Sequence, residues 1–231
     1  MPRVILLDID DTILSFQGYV REAMESGFEA FGIGPFKEEM LSVFHQVNSR
    51  LWHQLEEGTL SFEQLKKIRW NLIFEELGIQ EDGVKFEDYF RERLFYSAIP
   101  EEGAMELLEY LKDKYILCAA SNGPYHQQVN RLKIGGMLDC FHHLFISEEI
   151  GRSKPSREYF DVCMQRLNEG QTEPITEKDV MIIGDSLSSD ITGGIAAGMQ
   201  TVYYNPLQKE IPSDIKPNFT VRALKEIKAI L

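Results

Sequence analysis

Four groups of residues in this chain have side chains whose chemistries fit together. They are Asp8-Ile9-Asp10-Asp11-Thr12, Ser121-Asn122-Gly123, Lys154-Pro155, and Gly184-Asp185 with Asp190 five residues on. Each group comes after its own apolar run. If those runs are strands of one parallel sheet, all four groups meet beyond the carboxyl ends of the strands, where such sheets bind ligands. Three carboxylates brought to that edge, those of Asp8, Asp10 and Asp185, repel one another strongly. A hard cation relieves the repulsion. Magnesium takes oxygen ligands in octahedral geometry, keeps several waters, and often adds a phosphate oxygen from the substrate. Lys154 and Ser121 suit the remaining phosphate oxygens, and backbone N–H groups around residues 9–11 and at helix N-termini add donors.

Each group taken alone has a plainer reading. Asp8 reads as a turn or cap residue, Ser121-Asn122-Gly123 as a turn before a helix, Lys154 as a solvated surface lysine, and Asp185-Ser186 as an N-cap pair. The plainer readings do not account for all four groups in this order, each after its own strand.

The elements that must position them are legible as continuous apolar runs. The runs at 4–7, 115–120, 143–146, 180–183 and 201–204 have the pattern of strands buried on both faces. Helical patterns at 104–112, 125–132 and 157–167 lie between them. This alternation predicts an α/β fold: a Rossmann-like parallel sheet with helices on both faces and right-handed crossovers. From about residue 15 to 97 there is no clear strand run. Helical periodicity appears there instead, at 22–31, 38–56 and 62–77, punctuated by Gly34-Pro35, Gly58 and Gly78. The expected organisation is a catalytic core of residues 1–14 and 101–231 with a helical cap at 15–100. The tail from 218 reads as a short strand and a terminal helix.

With these residues in this order, the chain resembles the haloacid dehalogenase superfamily, mostly phosphatases, over nearly its whole length. The helical insertion resembles that superfamily's mobile cap placed after strand one. The resemblance implies that Asp8, the first Asp of the DxDxT pattern, attacks phosphorus and forms an aspartyl-phosphate. It makes Asp10 the general acid and base, and Lys154 the residue that steadies phosphate and nucleophile. Ser121 would bind phosphate, and the adjacent Asn122 is a further candidate substrate contact. Magnesium would be held by Asp8, the backbone carbonyl of Asp10, and Asp185, with Asp190 as a ligand through water or as the partner of Lys154.

The segment Val47-Asn48-Ser49-Arg50-Leu51-Trp52, followed by Gly58, Leu60 and Ser61, is similar to the cap of bacterial pyrimidine nucleotide 5′-phosphatases. So are residues 146–151 and 189–194. That similarity implies a small phosphate monoester substrate, a pyrimidine nucleoside 5′-monophosphate. Phe16, near the expected hinge, is the candidate to stack on a base, although Phe16, Leu51 and Trp52 all have ordinary packing as the alternative. Rival readings are a sugar-phosphate phosphatase or phosphomutase, a 2-haloacid dehalogenase, and an inactive binding module. A dehalogenase does not need the second acid, so Asp10 speaks against it. The intact set of acids and Lys154 speaks against the inactive module.

Composition excludes other classes. The 231 residues carry a net charge of −13, with 43 % hydrophobic and 26 % charged residues. That is the profile of a globular chain, and a poor match for a nucleic-acid partner, which requires clustered Lys and Arg. The three cysteines, Cys118, Cys140 and Cys163, form no CxxC pair, which suits a reducing cytoplasm. The apolar run at the amino end is too short for a signal peptide, and no stretch reaches the length of a membrane span.

Overall fold

The structure is a computed structural model and describes residues 2–231. The first apolar run forms strand β1, Val4–Leu7, and the later ones form β2 (Ile116–Ser121), β3 (His143–Ile146), β4 (Val180–Gly184) and β5 (Gln200–Tyr204), with a short β6 (Phe219–Val221). Helices α1 (Phe16–Ala30), α2 (Met40–Glu56), α3 (Phe62–Leu77) and α4 (Gly83–Phe95) follow β1, and α5 (Ala104–Leu111) leads into β2. The remaining helices are α6 (Tyr125–Ile134), α7 (Ser147–Ile150), α8 (Arg157–Asn168) and α9 (Thr192–Ala197). The six strands make one sheet of order β3-β2-β1-β4-β5-β6, parallel throughout.

Side chains alternate across a strand, and Val4–Leu7, Ile116–Ala120 and Val180–Ile183 are apolar at every position because both faces are covered. Ile5, Leu7, Leu117, Ala119, Met181 and Ile183 face one core with Ala104 and Leu108 of α5 and Leu132 of α6. Val4, Leu6, Cys118, Ala120, Val180 and Ile182 face the other, with Tyr159, Phe160 and Cys163 of α8 and Ala197 of α9. The ends of β2, β4 and β5 differ from expectation by a residue, and the tail differs in form. Tyr115 closes the turn after α5, its N–H on the Leu111 carbonyl at 3.0 Å, so β2 begins one residue later. The tail winds as a 3₁₀ helix, Leu224–Ala229, which puts Leu224 and Ile227, three residues apart, on one buried side.

The chain divides into two compact units, with Phe16–Ser97 as the second. Its edges fall inside the expected limits of 15–100. The reason is a short ladder that ties residues 98–100 to the first unit. The Ser15 N–H donates to the Ile99 carbonyl at 2.8 Å and the Glu101 N–H to the Ile13 carbonyl at 3.0 Å, around a bridge between Leu14 and Pro100.

Within the insertion, the capping box of Ser61 and Gln64 opens α3, and Gly78, at φ 66°, ends it. Helix α4 is an element the sequence reading did not name. Asp82 caps it by accepting from the N–H groups of Val84 and Lys85, and it buries Phe86, Phe90 and Leu94, four residues apart. Aromatic rings fill the unit, with Trp70 and Phe86 at 4.3 Å between centroids. A buried ion pair crosses it: Arg69 donates to both carboxylate oxygens of Glu87, at 3.0 and 2.7 Å, and to Asn48 Oδ1 at 3.0 Å. Val47 and Leu51 are core residues, and Trp52 packs on Phe62 at 6.2 Å. Much of the 47–52 segment therefore serves packing.

Candidate active site

Strand β1 delivers Asp8 to the edge of the sheet, where its N–H is held by the Ile183 carbonyl at 2.9 Å. The chain then turns back sharply. The Ile9 carbonyl accepts from the N–H groups of Thr12, Ile13 and Leu14, and Asp11 takes a left-handed backbone at φ 57°. This turn aims Thr12 back at Asp8, so that its hydroxyl donates to Asp8 Oδ2 at 3.1 Å. Thr12 lies inside the DxDxT pattern but is not among the residues expected at the site.

Lys154 is buried with a full set of acceptors. Its ammonium donates to Asp8 Oδ1 at 2.7 Å, Asp190 Oδ1 at 2.6 Å and the Ala120 carbonyl at 2.6 Å. An ammonium has three N–H groups, and all three are occupied. Burial pulls the Lys154 pKa down, and the carboxylates of Asp190 and Asp8 more than offset it, leaving a net rise. Asn122, expected among the substrate contacts, has both ends of its amide on the Lys154 backbone, each at 2.9 Å, so it holds the lysine's loop against the end of β2.

Asp190 is fully buried and serves Lys154. Its second oxygen accepts the Ser186 N–H at 3.1 Å. Gly184 makes this possible, because a Cβ there would lie 2.1 Å from Asp190 Oδ2. Both oxygens of Asp190 are thus bonded, one to Lys154 and one to the Ser186 N–H.

Oxygens of Asp8, Asp185 and Asp190 lie within 4.8 Å of one another. Burial first, then the charges of Asp190 and Asp10, push the Asp8 pKa up to about 7 against the pull of Lys154. Burial, then the charges of Asp8, Asp11 and Asp190, raises Asp185 well above the usual carboxylate range. One lysine thus does not neutralise the cluster, and its donors are all oxygen. That is the chemistry of a hard divalent cation site, with Asp8, Asp185 and Asp190 as the side chains that could hold the ion.

The carboxylate of Asp10 turns the other way, onto α6. Arg131 Nη1 donates to its Oδ1 and Gln128 Nε2 to its Oδ2, the latter at 2.6 Å. Gln128 also donates to Ser121 Oγ at 2.7 Å. Gln128 and Arg131 were not among the expected site residues. Three apart on a helix they share one face, but a polar pair at that spacing reads as a solvated stripe. Phe16, expected to meet a base, starts α1 half-buried, its ring 6.1 Å from Tyr19, 6.2 Å from Phe44 and 6.3 Å from Phe90 within its own unit.

The sequence and fold agree with those of known proteins. The haloacid dehalogenase-like hydrolase family matches residues 2–198. The HAD-hydrolase YfnB of Bacillus subtilis is 34 % identical over 99 % of this chain and 95 % of its own. Its magnesium-bound crystal structure superposes with a TM-score of 0.89 over 100 % of this chain and 98 % of that one. The pyrimidine 5′-nucleotidase YjjG of Escherichia coli is 29 % identical over 98 % of this chain and 96 % of its own. The pyrimidine 5′-nucleotidase PynA of Streptococcus pneumoniae is 28 % identical over 97 % and 93 %. A parallel sheet that brings Asp8, Ser121, Lys154 and Asp185 to one edge, together with a family match over most of the length, makes this chain a member of the haloacid dehalogenase-like hydrolases.

Proposed function

We propose that this hydrolase is a magnesium-dependent phosphatase that cleaves small phosphate monoesters through an aspartyl-phosphate on Asp8, with pyrimidine nucleoside 5′-monophosphates as preferred substrates. The observation that carries the reading is the grouping at one sheet edge of Asp8, Lys154 and the acidic cluster with a second, separately held acid, Asp10. Asp8 attacks phosphorus in line. Asp10 protonates the leaving oxygen, then takes the proton from the water that hydrolyses the intermediate. Ser121 donates to a phosphoryl oxygen, and Lys154 fixes the Asp8 carboxylate. Held by Asp8 and Asp185, with the Asp10 carbonyl, magnesium would supply positive charge against the phosphoryl oxygens. The nucleotide preference is supported by the names of YjjG and PynA and by the 47–61 segment.

Three buried free thiols support a reducing, cytoplasmic setting. Among the described residues no helix is long and apolar enough to cross a membrane.

Two measurements test the proposal. The first compares kcat/KM for UMP, dTMP, AMP, a sugar phosphate and a 2-haloacid. The expected order places the pyrimidine nucleotides first, with no turnover of the haloacid. A wide margin for the sugar phosphate would remove the nucleotide assignment and leave the phosphatase.

The second reads stability against pH. A carboxylate whose pKa is raised in the folded state contributes stability fully below its unfolded pKa and loses it as pH rises through the folded value. For Asp8 that window runs from about 3.8 to about 7. The metal-free protein should therefore weaken across it, and magnesium should restore the loss. The gain in Tm on adding magnesium is expected to be small at pH 5 and larger at pH 8, at about 2–4 °C per kcal/mol for a chain of this size. An equal gain at both pH values contradicts the charge argument.

A further inference from the structure

Helix α6 wires two of the proposed catalytic groups together, and its hydrogen-bond directions follow from one residue. Arg131 is buried and has donors only. Its Nη1 meets Gln128 Oε1 at 2.9 Å as well as Asp10. The oxygen of the Gln128 amide must therefore face Arg131, which settles which end of the amide is nitrogen. That nitrogen, Nε2, points at Asp10 Oδ2 and at Ser121 Oγ, at 2.6 and 2.7 Å, and has one N–H for each. Ser121 Oγ also accepts the Gly123 N–H at 3.1 Å. A hydroxyl accepts two hydrogen bonds, so Ser121 is saturated as an acceptor and its own proton is left to be donated. Gly123 makes room for the arrangement, since a Cβ there would lie 2.6 Å from Gln128 Nε2.

We infer that Gln128, oriented by Arg131, is a positioning residue that fixes the Asp10 carboxylate and sets the Ser121 hydroxyl to donate toward the phosphoryl group. Resting on the phosphatase reading, it adds to it why both groups are preorganised. Asp10 is about one-third exposed while Arg131 and Gln128 are buried, so a rigid base grips a group that must meet substrate. Preorganised donors cost no reorganisation at the moment of reaction.

The test is Gln128→Met, which keeps the length and bulk of the side chain and deletes its hydrogen bonds, beside Gln128→Glu, which replaces the donating nitrogen by an acceptor. With an alkyl phosphate, kcat should fall about 10–100-fold in both, the scale of a lost hydrogen bond to a charged group. With an aryl phosphate, whose leaving group needs no proton, the fall should be smaller. Far-UV circular dichroism and Tm establish that each variant is folded. In backgrounds already carrying Asp10→Asn or Ser121→Ala, the cost of Gln128→Met should shrink, because one of its two dependants is gone. A folded Gln128→Met with near-parental kcat on the alkyl ester overturns the inference, as the side chain would then only fill space. Full additivity in both backgrounds overturns it as well, with the phosphatase reading intact. Parental turnover of alkyl esters by Asp10→Asn itself would instead sink the acid–base role of Asp10, and the inference would fall with it.

Discussion

Asp8→Asn should abolish turnover, with kcat reduced on the order of 10⁴-fold or more, the scale seen when a covalent nucleophile is removed. The amide has the shape of the carboxylate but cannot attack phosphorus. The fold should survive, since an asparagine at this position keeps an oxygen for Lys154 and presents its nitrogen to Thr12, whose hydroxyl can turn from donor to acceptor. The structure adds a second expectation. Burial first, then the charges of Asp190 and Asp10, raise the Asp8 pKa to about 7, so a neutral residue there removes the cost of a buried charge and relieves repulsion. In chelator near pH 8, the dead variant should melt no lower than the parent. Loss of activity with a lower Tm would point to damage to the Lys154 network instead. Parental activity in a folded Asp8→Asn protein excludes the covalent mechanism.

Asp10→Asn is expected to cost about 10²–10⁴-fold in kcat, the usual worth of general acid–base assistance. The loss should be deepest for alkyl esters, whose leaving oxygen needs a proton, and shallower for aryl esters. The site also predicts a structural effect. Arg131 and Gln128 each bring a donor to Asp10, and an asparagine has only one oxygen to receive them. One donor faces an amide N–H, which costs about 1–3 kcal/mol in a fully buried setting and less here, where Asp10 is about one-third exposed. A modest fall in Tm should accompany the kinetic loss, in contrast to Asp8→Asn. If alkyl and aryl esters suffer alike, Asp10 does not act as the acid in the first step.

The different behaviour of these two aspartates, two positions apart, shows where sequence stops. Their placement was legible because strand periodicity is local. Val4–Leu7 is apolar at every position, and that alone says the strand is covered on both faces and delivers Asp8 to its carboxyl end. The runs that became β3 and β4 began where expected, and α3 was legible from its helical period and the glycine, Gly78, that ends it. The order of the four motif groups, each after a strand, was enough to place them at one edge.

What each side chain does there depends on neighbours far along the chain. Lys154 lies 146 residues from Asp8 and 36 from Asp190, yet it bonds both. No local pattern says that all three of its donors are taken, or that Asn122 holds its loop. Gln128 and Arg131 are polar residues at helical spacing, and their sequence is that of a solvated face. Only the fold turns that face inward, onto Asp10, 118 and 121 residues away. Likewise Gly123 reads as a turn glycine and Gly184 only as the residue before Asp185, and it is the approach of Gln128 and Asp190 that crowds a Cβ at either position. The sequence by itself determined the α/β class, the insertion after β1 and which residue types meet at the sheet edge, because periodicity and residue order are local properties of the chain. The tertiary structure alone decided which oxygen faces which donor, because hydrogen-bond direction in a buried network is set jointly by groups that only folding brings within hydrogen-bonding reach.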